Sequence, residues 1–369
     1  VGHLDYTLAL HAALAPDPAE QVCWSPFSVA SALGLVTAGA AGPTRDELVR
    51  LLGDPEQLLA DLDSASDLTE RGSGDDPPVI AVANTLWVDA AVGVHEDFAA
   101  RLSGGVRGAP FKAEPDKARQ DINADVAETT RGLIPELLAP GAITAKTMSA
   151  LVNALYLKCA WEHSFTGGTD DQPFHAPGGD VTVPTMHLSE HLEYKALRGW
   201  RVVHLPAEGG VEAVVLLPDD DLADAEARLT PDLLDQLLTE PRQAQVDLSL
   251  PKLSLRTQAE LSTAVHSLGV ETVFGDEADL SGISPDPLAV EDILHEAVLR
   301  VDEDGFEGAA ATAVLMRLTS ILDAKKVRVV VDRPFLFLVR HRETGAVYFL
   351  ARVTDPSLGE SDDGRGVSG

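Results

Sequence analysis

The 369-residue sequence is poor in cysteine, in positive charge and in long apolar runs, and each shortage excludes something. The two cysteines, Cys23 and Cys159, lie far apart in apolar surroundings, without a C-x-x-C or Cys/His cluster. That excludes a disulfide framework or a zinc site and predicts two buried free thiols. Lys and Arg total 28 against 59 Asp and Glu, a formal charge of −31. Such a chain does not bind nucleic acid non-specifically or adhere to an anionic membrane. No apolar run approaches the roughly eighteen residues of a membrane-spanning helix. Catalytic signatures are missing too. There is no G-x-S-x-G elbow, no Walker loop and no G-x-G-x-x-G. His95-Glu96 and His295-Glu296 each begin like H-E-x-x-H but lack the second histidine. No metal, no cofactor and no enzyme is expected. A Ser/His/Asp triad leaves no mark in a sequence, because its members meet only in space.

The chain has ample apolar material, 45% of its residues, for a substantial core. Helical spacing runs over Leu4–Leu14, and Ser25-Pro26 opens a second helix with Ser25 as N-cap and proline in the first turn. Further helices are expected at 43–52, 57–68, 95–102, 116–138, 222–238 and 258–268. Strands are expected at 79–88, 149–157, 181–183, 193–197, 200–205, 211–217 and 246–250, and in a hairpin of 335–341 with 346–353. Helices crowd the first 140 or so residues and strands follow, without strict alternation. That is the pattern of an α+β fold. No repeat or long linker divides the chain. Residues 1–356 read as one domain and 357–369, rich in Gly, Ser and Asp, as a tail.

The stretch from Ala297 to Phe335 is the unusual one. A strand-like run ends in Asp302-Glu303-Asp304-Gly305, and a segment of small residues follows, Gly308, Ala309, Ala310, Ala311 and Thr312. Side chains alternate faces along a strand. From 306 to 318 the even positions (Phe306, Gly308, Ala310, Thr312, Val314, Met316 and Leu318) carry no charge. The charged Glu307 and Arg317 are both odd. One face of this segment is fit for burial, so it can serve as a strand.

Several motifs, in order, give the chain a family resemblance. They are Trp24-Ser25-Pro26-Phe27-Ser28, Asn84-Thr85-Leu86-Trp87-Val88, Thr130-Arg131-Gly132-Leu133-Ile134 and Asn153-Ala154-Leu155-Tyr156-Leu157-Lys158 with Trp161. Val183-Pro184-Thr185-Met186-His187, Leu250-Pro251-Lys252, Asp279-Leu280-Ser281-Gly282-Ile283-Ser284, Arg333-Pro334-Phe335 and Phe349-Leu350-Ala351-Arg352-Val353 complete the set. The chain resembles the serpins, inhibitors of serine proteases, over about 4–356. Its Ala/Gly/Val/Asp-rich composition with few Met points to a bacterial, thermophilic member.

The resemblance implies a single domain of three β-sheets and eight to nine helices with an exposed reactive-centre loop. It implies a metastable inhibitor whose loop baits a serine protease. The cleaved loop then enters sheet A and traps the covalent acyl-enzyme. The hinge would comprise Glu303, Gly305, Phe306, Glu307, Gly308, Ala309, Ala310 and Ala311. The family's spacing from the hinge glutamate places the reactive bond at Thr319-Ser320, with Leu318 and Arg317 as neighbouring alternatives. Thr319 suits elastase- or subtilisin-like proteases, and Leu318 suits chymotrypsin-like ones. Ser25, Ser28, Asn153 and His295 match the polar shutter beneath sheet A, and Trp161 matches the breach at its top. Phe306 departs from the family, which has a small residue there; a bulky ring is expected to slow insertion and favours the alternative of a non-inhibitory carrier or chaperone type. The 57–68 helix has no basic face, so no heparin partner is expected. A monomer is expected, in an extracellular rather than a cytoplasmic setting.

Overall fold

A computed structural model describes residues 2–66, 68, 77–101, 105–306 and 326–358. Its helices are α1 (His3–Leu14), α2 (Pro26–Gly39), α3 (Gly42–Leu52), α4 (Pro55–Ser66), α5 (Glu96–Arg101), α6 (Pro115–Thr129), α7 (Leu222–Glu226), α8 (Pro231–Leu238) and α9 (Ser262–Ser267). The strands are β1 (Val22–Trp24), β2 (Val79–Asp89), β3 (Val106–Ala109), β4 (Ser149–Ala160), β5 (Thr169–Ala176), β6 (Gly179–Leu197), β7 (Trp200–Pro206) and β8 (Val211–Pro218). They continue with β9 (Arg242–Pro251), β10 (Leu253–Glu260), β11 (Ile293–Val301), β12 (Gly305–Phe306), β13 (Lys326–Val330), β14 (Phe335–His341) and β15 (Val347–Val353). The chain is α+β, as expected.

Two hydrogen-bonded networks hold the strands. The six-stranded sheet runs β10-β11-β12-β4-β2-β3, and β11 also pairs directly with β4. The second network runs β1-β15-β14-β8-β7-β6-β9-β13, with β5 on β6. The 19-residue β6 makes one network of what the resemblance treats as two sheets. One edge of it is shared end to end by β5, along 179–186, and β7, along 193–197; β9 lines the other edge. The central strands β4 and β11 of the six-stranded sheet are buried on both faces. Odd-numbered residues of β4 and β11, such as Leu151, Leu155, Ala297 and Val301, face the main core with α2. Even-numbered ones, such as Val152 and Val298, join Ile122 and Val126 of α6 in a second, smaller core.

Five expected elements take other bounds. The helix expected over 116–138 stops at Thr129 because Arg131 and Gly132 take positive φ, 52° and 82°. Asn123 then holds the returning chain: its Oδ1 accepts from Leu137 N at 3.1 Å and Leu138 N at 2.8 Å. The 222–238 helix is two, because Thr230 caps a new start at Pro231. The 258–268 helix begins only at Ser262. Gln258–Glu260 pair with Glu296–Leu294 instead, sheet formation outweighing helical propensity. The strands expected at 181–183 and 193–197 are parts of the continuous β6. Cys23 and Cys159 are buried and free.

Candidate functional site

The top of the six-stranded sheet is where the unusual stretch begins. After β11 the chain makes a tight turn at 302–305. Asp302 N donates to Gly305 O at 3.0 Å, and the Asp302 carboxylate accepts from Asp304 N at 2.9 Å and Gly305 N at 3.2 Å. Gly305 is required there: a Cβ would fall onto the Cys159 carbonyl oxygen. β12 then enters the sheet as a two-residue wedge. Phe306 pairs with Val301 of β11 on one side and with Cys159 of β4 on the other.

The Phe306 side chain is 1% exposed and points into the main core. Its ring centroid is 4.6 Å from that of Trp161, and Phe165 packs edge-on to Trp161 at 6.2 Å. Trp161 fixes the turn from beneath, its Nε1 donating to Asp302 O at 2.9 Å and its backbone N to Asp304 O at 2.9 Å. Glu303 is held from outside by Lys252 Nζ at 2.6 Å and Thr169 Oγ1 at 2.5 Å. Burial works to raise the Glu303 carboxyl, but these bonds outweigh it and leave it below the usual range.

Lower in the same sheet lies the polar cluster. His295 of β11 and Asn153 of β4 are register partners, and both are fully buried. His295 Nδ1 donates to Asn153 Oδ1 at 2.6 Å, and its Nε2 accepts from Ser25 N at 3.1 Å. These partners define a neutral ring protonated on Nδ1. Burial pushes its pKa down to about 3, against the opposing effect of the bond to Asn153. Asn153 Nδ2 donates to Ser28 O at 2.7 Å and to Asn84 Oδ1. Ser25 Oγ accepts from Ser28 N at 3.1 Å, the expected N-cap of α2.

Of the residues singled out in the sequence, Ser25, Ser28, Asn153 and His295 thus meet in one network, and Glu303, Gly305, Phe306 and Trp161 in another. Ser28 joins through its backbone carbonyl; its hydroxyl has no partner among the described residues. Glu307, Gly308, Ala309, Ala310, Ala311, Arg317, Leu318, Thr319 and Ser320 lie outside the described residues. Thr169 stands outside every sequence motif, and Asp302, Asn84 and Lys252 enter the sequence reading only as parts of motifs. Among the described residues, the metal-ligand-type group Glu193, His204 and Glu212 also escaped notice. Arginines engage its carboxylates: Arg340 Nε lies 2.8 Å from Glu212 and Arg342 Nη2 3.0 Å from Glu193.

A family model described as Serpin (serine protease inhibitor) matches residues 4–356. An uncharacterized serpin-like protein of Thermococcus kodakarensis is 30% identical, covering 92% of this chain and 81% of its own. The leukocyte elastase inhibitor of Bos taurus is 32% identical over 92% of this chain and 94% of its own. Among solved structures, human thyroxine-binding globulin superposes with a TM-score of 0.84 at 24% identity, covering 97% of this chain and 98% of that one. Uncleaved ovalbumin gives 0.82 at 22% identity, covering 96% and 99%. At those identities the two structures establish likeness of fold.

Proposed function

The chain belongs to the serpin family, and from that membership we propose that it is a suicide-substrate inhibitor of chymotrypsin-, elastase- or subtilisin-like serine proteases. The protease serine attacks the carbonyl of Thr319 and forms an acyl-enzyme. The freed loop then enters the six-stranded sheet between β4 and β11, carrying the protease with it.

One observation carries this reading: the two strands are already in the register the loop needs. Phe306 pairs at once with Val301 and Cys159. Four positions down each strand, Ala297 and Leu155 pair directly, and the pairing continues to Ile293 with Leu151. Parting β4 from β11 sideways therefore opens a lane, with no sliding along the strands. Continuing the Phe306 register down that lane brings even-numbered loop residues to the core face. It brings Thr312 level with Asn153 and His295, so their mutual bond yields to the incoming strand. Each main-chain hydrogen bond gained contributes about 1 kcal/mol net, and the family mechanism adds release of stored strain.

The competing reading is a carrier- or chaperone-type serpin whose loop is merely cleaved. Its sequence support is the bulk of Phe306. That ring already sits in the core against Trp161, so it does not have to enter after cleavage. On the inhibitor reading residues 1–356 act as one domain and a monomer, with 357–369 as a tail. Peptide mapping after attack by chymotrypsin, elastase and subtilisin tests the reactive bond. A cut at Thr319-Ser320 is expected, and a cut outside 317–320 overturns the assignment.

A further inference from the structure

Three strands near the return of the loop bring a serine, a histidine and an aspartate into one hydrogen-bonded row. Ser249 on β9 is the register partner of His187 on β6. Asp170 on β5 pairs with Thr185, two residues from His187 and therefore on the same face. At His187 and Ser249 this face is turned away from the main core, although Thr185 on it is buried. The residues flanking His187, Met186 and Leu188, are buried, and so are Leu248 and Leu250 beside Ser249.

His187 Nε2 lies 2.6 Å from Asp170 Oδ1, and its Nδ1 lies 3.0 Å from Ser249 Oγ. A carboxylate only accepts, so Nε2 carries the proton and donates it. Nδ1 is left with its lone pair, and the Ser249 hydroxyl donates to it. The bond from His187, with a second from Gln172, holds the Asp170 carboxyl below the usual range. The Asp170 and His187 side chains are 58% and 32% exposed, and Ser249 is half-buried. A hydroxyl directed at a basic nitrogen whose ring is oriented by a carboxylate is the arrangement of an activated nucleophile. Loop insertion into the six-stranded sheet makes no use of it.

We propose that Ser249 is a nucleophilic site for activated acyl or phosphonyl donors, with His187 as its general base and Asp170 as a positioning residue. With a fluorophosphonate, Ser249 Oγ attacks phosphorus and the O–P bond forms. The P–F bond breaks, and fluoride leaves with the bonding electrons. The hydroxyl proton passes to His187 Nδ1, and Asp170 stabilises the resulting imidazolium. Ser249 sits mid-strand, with β6 and β13 on its two sides, rather than on a sharp strand-to-helix elbow. The reaction is accordingly a single, stoichiometric modification and not a turnover.

The test uses the full chain, an alkyl fluorophosphonate and peptide mass spectrometry. One adduct is expected, on Ser249, and it is absent in Ser249→Ala. General-base assistance supplies about a hundredfold or more, so His187→Gln should slow labelling by that order, and Asp170→Asn should slow it less. Circular dichroism and thermal midpoints close to wild type show that the variants are folded. Failure to label Ser249, or equal rates in wild type and His187→Gln, overturns the proposal and leaves the row a structural tie between β5, β6 and β9. Ser249→Ala should still trap protease, which keeps this test separate from that of the inhibitory function.

Discussion

Phe306 and Trp161 lie ring against ring, 4.6 Å between centroids with planes at 57°. On the proposed mechanism, the first inward residue of the hinge is thus seated before any protease arrives. Removing a buried Phe side chain costs about 3–5 kcal/mol. Phe306→Ala should lose stability of that order in urea unfolding. It should leave the inhibitor-to-protease stoichiometry unchanged, because the ring is already buried before insertion. A stoichiometry that improves on removing the ring would show that Phe306 does delay insertion.

On the proposed mechanism, the even face of the loop is the one that enters the core. Ala310→Glu places there the carboxylate that Glu307 carries on the odd face. An unpaired buried charge costs several kcal/mol, so this variant should be cleaved at the same bond and release active protease. Glu307→Gln should still trap. Gel analysis with residual protease activity reads both, and trapping by Ala310→Glu would refute the parity argument.

His295 ties stability to pH. Its ring stays neutral in the fold down to about 3, while the unfolded chain takes up a proton near 6.5. The unfolded state therefore binds more protons between those values. Stability is full above about 6.5 and falls as the pH drops toward about 3, by up to about 1.4 kcal/mol per pH unit. The half-buried His3 ring, lowered to about 4, adds a slope of the same sign. His295→Gln should flatten the curve relative to wild type across this window, measured by urea midpoints. An unchanged slope would mean that the ring is not neutral in the fold.

Asn153 makes three side-chain bonds at once, buried ones to His295 and Ser28 and a part-buried one to Asn84. Asn153→Ala removes all three bonds, each worth about 1–3 kcal/mol. A loss of at least about 3 kcal/mol is expected in equilibrium unfolding. Glu303 and Lys252 are a contrasting case, with side chains 30% and 37% exposed. A double-mutant cycle of Glu303→Gln and Lys252→Met should give no more than about 1 kcal/mol of coupling.

Much of this was legible in the sequence where local chemistry decides the outcome. Ser25-Pro26 announced a capped helix, and the even–odd parity from Phe306 agrees with the face its ring takes. The cluster of Ser25, Asn153 and His295 was reached through motifs. What stayed hidden depends on contacts between distant residues. Nothing local marks Lys252 and Thr169 as partners of Glu303, since the sheet alone brings them together. Ser28 matches the polar shutter by resemblance, yet the fold uses its carbonyl, which any residue supplies. Gln258–Glu260 have helical composition but lie beside β11 and pair with it. Asp170, His187 and Ser249 come from three strands, and only the register aligns them.

Denaturing gel electrophoresis after incubation with chymotrypsin, pancreatic elastase and subtilisin tests the central claim most directly. The account predicts, with at least one of them, a covalent band at the summed mass of protease and inhibitor, together with loss of protease activity. If every protease cleaves the loop, leaves no such band and keeps its activity, the inhibitory reading is contradicted and the chain is a substrate-type serpin.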